Sequence, residues 1–119
     1  MMNLQHPYRA LRRATLAVCT LVASLHGHAA DDGAKQFALG KKLFVQGAAP
    51  ACALCHALKD AGSTGAVGPI LDDLKPDAAR VANALRNGLG NMPAYKATLQ
   101  EEQILALAHY VAKASGGAR

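Results

Sequence analysis

The segment Cys52-Ala53-Leu54-Cys55-His56 constrains this chain more than any other. Two thiols three positions apart fall on one side of a helical turn. An imidazole follows the second thiol directly. A structural disulfide would use the thiols and leave His56 without a task. A dithiol redox pair of the thioredoxin kind wants a βαβ setting. A zinc ion wants four ligands. The rest of the chain has to separate these uses from a further one that employs all three residues.

Residues 1–29 read as a secretory leader. Arg9, Arg12 and Arg13 precede the apolar run Ala14–Leu25, and small residues follow around Gly27-His28-Ala29-Ala30. A basic stretch, a short apolar stretch and an A-x-A-like end describe an export signal. The apolar run is 12 residues, too short to span a bilayer as a helix. Cleavage after Ala29 puts Gly27 and Ala29 at the recognition positions; cleavage after Ala30 would place bulky His28 there. Cys19 is not a good lipidation site, because Val18 is bulky and most of the apolar run lies after the cysteine. The expectation is a mature domain of residues 30–119 with no stable membrane insertion.

Removing the leader changes the chemistry available. Of 13 basic residues three go with it, leaving ten against 8 acidic ones. No Lys/Arg run exceeds Lys41-Lys42 and aromatics are 4%, so a nucleic-acid partner is not expected. The cysteines left are Cys52 and Cys55, the histidines His56 and His109, and the methionine Met92. There is no Trp. So small a domain, so poor in bulky side chains, needs something else in its core.

Three helices are expected. Asp31–Gln46 starts with acids and places Phe37, Gly40 and Phe44 on one face; Gly40 in mid-helix is either the mark of a close crossing or a simple weak point of the helix. A second helix begins at Pro76-Asp77, carries Ala78, Val81, Ala82 and Leu85 on its apolar stripe and stops at Gly88. A third starts at Thr98 with Glu101 as capping-box partner, buries Ile104, Leu107, Ala108 and Val111 beside Tyr110, and ends at Gly116-Gly117. Asp60–Leu74 reads as a glycine-rich loop, and no segment alternates with period two. The fold class is all-α, with long loops of the kind that wrap something.

Cys-x-x-Cys-His is also the attachment sequence of c-type haem, and this reading uses every residue of the segment. Each thiol forms a thioether with one vinyl group, and His56 lies under the iron as proximal ligand. The export signal agrees, and one covalent porphyrin supplies the missing apolar bulk. Without haem the chain is expected to be largely disordered. A zinc site would need His109 as fourth ligand, and adjacent Cys55 and His56 converge poorly on one tetrahedral ion.

The sixth iron ligand separates a carrier from an enzyme or sensor. Met92, in Asn91-Met92-Pro93-Ala94-Tyr95, sits in a loop able to present a side chain, whereas a core methionine would more usually sit on a helix stripe. His109 is the rival; beside Tyr110 and off the Ile104/Leu107/Val111 face, it reads as a solvated histidine.

Over about residues 34–114 the chain resembles class I c-type cytochromes. CALCH matches their haem box, Gly68-Pro69-Ile70-Leu71 their Gly-Pro-x-Leu segment, and Gly-Asn-Met92-Pro-Ala-Tyr their Met-Pro loop. The resemblance implies a class I cytochrome c-like fold around one haem. It also implies that the carbonyl of Pro69 accepts a hydrogen bond from His56 Nδ1, and that Gly40 and Phe44 cross the last helix near Tyr110. Lacking Trp, the chain leaves the propionate partners unassigned. A finer resemblance, through LGKKLF, CALCHALKDAG and VGPILDDLKPDAARVANALRNGLGNMPAY, is to the small cytochrome subunits or electron acceptors of bacterial sulfite dehydrogenases.

The function this implies is a periplasmic mono-haem electron carrier, not itself an enzyme. Its donor would be a molybdopterin sulfite dehydrogenase, and its acceptor another cytochrome or a terminal oxidase. The alternative is a haem peroxidase or gas sensor with a labile sixth ligand. Lys41, Lys42, Lys59, Lys75, Arg86 and Lys96 are candidates for a docking rim, each equally readable as ordinary solvated surface.

Overall fold

Helix α1 runs over residues 30–42 and widens into a π turn at Leu43–Gly47, with Asp31 and Asp32 in its first turn. The computed structural model describes residues 30–118. The expected leader and Cys19 lie outside them. Contacts divide the chain into Met1–Gly33 and Ala34–Arg119, and the elements beyond the start of α1 belong to the second unit.

The chain then makes a 3-10 turn, Cys52–Leu54, and a short antiparallel hairpin of β1, His56–Leu58, and β2, Ser63–Ala66. The hairpin and the single-turn helix α2, Leu71–Leu74, replace the expected loop over Asp60–Leu74. Side chains fix this region: Ser63 Oγ accepts from Leu58 N at 3.0 Å and donates to His56 O at 2.9 Å. The Asp72 carboxylate accepts from Lys59 N at 2.8 Å.

Helix α3, Ala78–Asn87, is capped by Asp77, whose carboxylate accepts from Arg80 N at 2.8 Å, and Gly88 ends it at φ 73°. Asp77 therefore takes the cap, with Pro76 just outside the helix. Helix α4, Glu101–Ser115, ends at Gly116 as expected but starts differently. Its cap is Gln100, whose backbone N–H is taken by the Gln103 side chain at 2.8 Å; the Thr98 hydroxyl turns back to Tyr95 O. A glutamine cap is unusual, which is why Thr98 looks better in sequence.

The core lies where α1, α3 and α4 meet. Phe44, Leu58, Leu85, Ile104, Leu107 and Tyr110 are buried there. Tyr110 takes Phe37 and Phe44 edge-on, with ring centroids 5.0 and 5.7 Å away. Its hydroxyl donates to Asp60 Oδ1 at 2.8 Å, and Lys41 Nζ sits 3.0 Å from the same oxygen. Three distant segments are thus tied through one carboxylate. Among the described residues, no helix is long and apolar enough to cross a membrane.

Candidate functional site

A cavity of about 570 Å³ opens between the Cys52–Leu54 turn, the Gly68–Leu74 segment, α3, the Met92 loop and one face of α4. That size suits a cofactor, since such sites commonly fall at roughly 300–1,000 Å³. Its walls are mostly apolar, with Phe44, Leu71, Leu85, Leu107 and Val111 among them. Cys52, Cys55, His56, Pro69 and Met92, separated by up to 40 positions in sequence, all reach this one cavity.

The cysteine segment is held by backbone. Val67 N and Gly68 N both donate to Cys55 O, at 3.1 and 2.7 Å. β2 presses on it so closely that a Cβ at Gly65 would come within 2.6 Å of Cys55 C and His56 N. The His56 ring is fixed next. Its Nδ1 lies 2.9 Å from the Pro69 carbonyl oxygen. A carbonyl only accepts, so Nδ1 carries the proton and a neutral ring keeps its lone pair on Nε2. Gly68 backs the ring, leaving no room there for a side chain.

Met92 is presented by a tight turn. Leu89 N donates to Met92 O at 3.1 Å and Met92 N to Leu89 O at 3.0 Å. Gly88 and Gly90 supply the positive φ angles, 73° and 58°, that this path requires. Tyr95 follows on the cavity wall, its hydroxyl donating to Pro50 O at 2.8 Å.

The competing uses of the cysteines do not match this geometry. The two thiols are not joined to each other. Burial pushes the Cys52 thiol up to about 11, whereas a dithiol redox centre needs a thiol pushed down. No group of three or more His, Cys, Asp or Glu among the described residues is placed to hold a metal ion. His109 is not on the cavity wall. It is not simply solvated either: its Nε2 is buried with no hydrogen-bond partner among the described residues, and its ring meets Phe37 edge-on at 6.5 Å.

An apolar cavity with two thiols at one edge, an oriented imidazole on its wall and a thioether from a separate loop fits a porphyrin. Of the cations expected to form a rim, Lys41 pairs with Asp60 and Arg86 with Glu101. Lys42, Lys59, Lys75 and Lys96 are exposed. Sequence reasoning missed Arg80, Asn83 and Tyr95, which the fold brings to the cavity.

The family model described as Cytochrome C oxidase, cbb3-type, subunit III matches residues 35–111. Among solved structures the chain is similar to the c-type cytochrome SorU from Sinorhizobium meliloti, with 49% identity and a TM-score of 0.67 over 71% of this chain and 97% of that one. No curated protein matches. Cavity and comparisons agree: the chain belongs to the c-type cytochromes, in the family described as Cytochrome C oxidase, cbb3-type, subunit III, with the class I all-α fold, covalently bound haem c and an electron-carrying role.

Proposed function

We propose that this chain is a periplasmic mono-haem cytochrome whose iron is held by His56 on one face and Met92 on the other. Cys52 and Cys55 attach the porphyrin as thioethers, and Pro69 orients His56. When bound, the haem iron supplies a one-electron ferrous–ferric couple. The observation that carries the reading is the 2.9 Å approach of His56 Nδ1 to Pro69 O on the cavity that Met92 also lines. Pinning Nδ1 frees Nε2 for iron and makes the ring more basic. The bridged turn holds Met92 in one place, so neither ligand has to move when the charge changes. A soft thioether favours the ferrous state and raises the potential over a bis-histidine centre.

Residues 1–29 act as the export leader. Electrons arrive from a sulfite dehydrogenase of the molybdopterin type and leave to another cytochrome or a terminal oxidase; the resemblance of the LGKKLF-to-NMPAY stretch supports this pairing. The test is production of the whole chain with haem-maturation machinery. The reading expects a mass increase of one haem, loss of residues 1–29, and a far-red Met–iron band in the oxidised form. M92A should abolish that band, and its persistence would overturn the ligand assignment. Reduction by a sulfite-turning-over dehydrogenase tests the partner separately.

A further inference from the structure

Haem presents two kinds of surface to its protein: an apolar macrocycle and two propionate carboxylates. The cavity wall is mostly apolar, yet it contains one residue with a formal positive charge, Arg80. Arg80 sits in the first turn of α3, and Asn83 follows three residues later and lines the same cavity. Residues at that spacing share a helix face. α3 packs chiefly on α4, while the cysteine turn packs on β2 and the end of α1, so the two form different walls.

The two side chains are prepared differently from other polar groups nearby. The Arg80 guanidinium has no hydrogen-bond or ion-pair partner among the described residues, whereas Arg86, on the same helix, is committed to Glu101. Asn83 Oδ1 accepts from Asn87 Nδ2 at 2.8 Å, and Asn87 Nδ2 also reaches Asn83 O at 3.1 Å. With its oxygen engaged by Asn87, the Asn83 amide has its NH2 left as the group that can donate to a ligand. One face of α3 therefore offers a guanidinium and an oriented amide, both donors, at the edge of an apolar pocket.

We propose that Arg80 and Asn83 seat a haem propionate, and that Asn87 positions Asn83 for this. The assignment rests on haem c occupying the cavity and does not depend on Met92 being the sixth ligand. A guanidinium beside a carboxylate favours its ionised form. An ionised propionate that is well compensated does little to favour ferric iron. Arg80 thus sets both the acidity of the propionate and the haem potential.

The test is the midpoint potential of the holoprotein, followed from pH 4.5 to 9 in wild type, R80Q, R80K, N83D and K113Q. R80Q should lower the potential at neutral pH and make the propionate roughly three- to tenfold easier to protonate, moving the inflection upward. N83D should move it the same way, by placing a like charge beside the propionate. R80K should recover part of the loss. Lys113 lies in the last turn of α4, off the cavity wall, with its Nζ 5.6 Å from the centre of the Phe37 ring, so K113Q removes one charge away from the cofactor space and marks the effect of net charge.

The other titratable groups on the wall do not imitate this. Burial pushes Tyr95 up to about 12, Cys52 and Cys55 carry thioethers in the holoprotein and have no thiol proton to lose, and His56 is taken up by the iron in the proposed centre. The carboxylates nearest this face, Asp77 at the cap of α3 and Asp72 and Asp73 on α2, are present in wild type and in every variant, K113Q included. If R80Q and N83D both titrate like K113Q, the propionate does not sit on α3 and the proposal fails. Loss of the far-red band in wild type would instead refute Met92 ligation, leaving this titration readable.

Discussion

Gly68 lies flat against the imidazole of His56, so that a Cβ there would stand 2.7 Å from Nδ1 and 2.9 Å from Nε2. The ring is trapped between this glycine and the cofactor space, with its outer nitrogen tied to the next residue's carbonyl. G68A should tilt or displace His56. Overpacking of this kind costs about 1–3 kcal/mol. The expected result is a shifted ferric spectrum with a lower denaturation midpoint; wild-type spectra and stability together would show that the ring has slack.

Gly40 makes the corresponding contact between helices. A Cβ there would meet Ala106 C at 2.8 Å and Tyr110 Cβ at 2.5 Å. Alanine gains about 1 kcal/mol in helix propensity. The obstacle is mostly the backbone of α4, which has nowhere to go. G40A should therefore destabilise the holoprotein by a net ~1–2 kcal/mol while leaving the spectrum nearly intact. A rise in melting temperature would mean that the helices cross further apart.

The Asp60 carboxylate is held below its usual range, first by the Lys41 hydrogen bond and then by that of Tyr110. A lowered folded-state value stabilises the protein above the unfolded value, near 3.8, and the gain disappears as pH falls through the folded value. D60N should therefore flatten the acid limb of a stability–pH profile below about pH 4–5. Burial and Asp60 push the Tyr110 hydroxyl upward, so its share holds below the usual tyrosine range and declines only in alkali. The Lys41–Asp60 pair is largely exposed, so the acid effect should shrink in high salt.

The cavity walls include Leu71, Leu85, Leu107 and Val111, whose packing surface faces the space a porphyrin fills. A C52S/C55S chain, produced without residues 1–29, should lose covalent haem and show no cooperative thermal transition by far-UV circular dichroism. A sharp native-like transition in that product would mean that the polypeptide core suffices alone.

Those parts of the site whose residues adjoin in sequence were legible there. Cys52, Cys55 and His56 sit within five positions, and Met92 was the single methionine outside the expected leader. Helical spacing put Phe37, Gly40 and Phe44 on one face and marked a close crossing at Gly40, while Tyr110 as its partner came from the resemblance to class I cytochromes. The β1–β2 hairpin was not legible. Its strands are three and four residues long, and Ser63 fixes them by bonds no periodicity reports. The start of α4 was misplaced because Gln103 rescues an unpromising cap, Gln100, while Thr98 is used elsewhere.

What the sequence determined by itself was the cofactor chemistry and the helical class, because thiol spacing and apolar periodicity are local properties. What the tertiary structure decided was how each polar side chain is used. Arg80 and Arg86 occupy one helix and look alike in sequence; one faces the cavity and the other a carboxylate on α4. His109 reads as surface, yet its Nε2 is buried and its ring meets Phe37 of α1 edge-on. Such assignments depend on which element lies opposite, and that is fixed only when α1, α3 and α4 close around their common core.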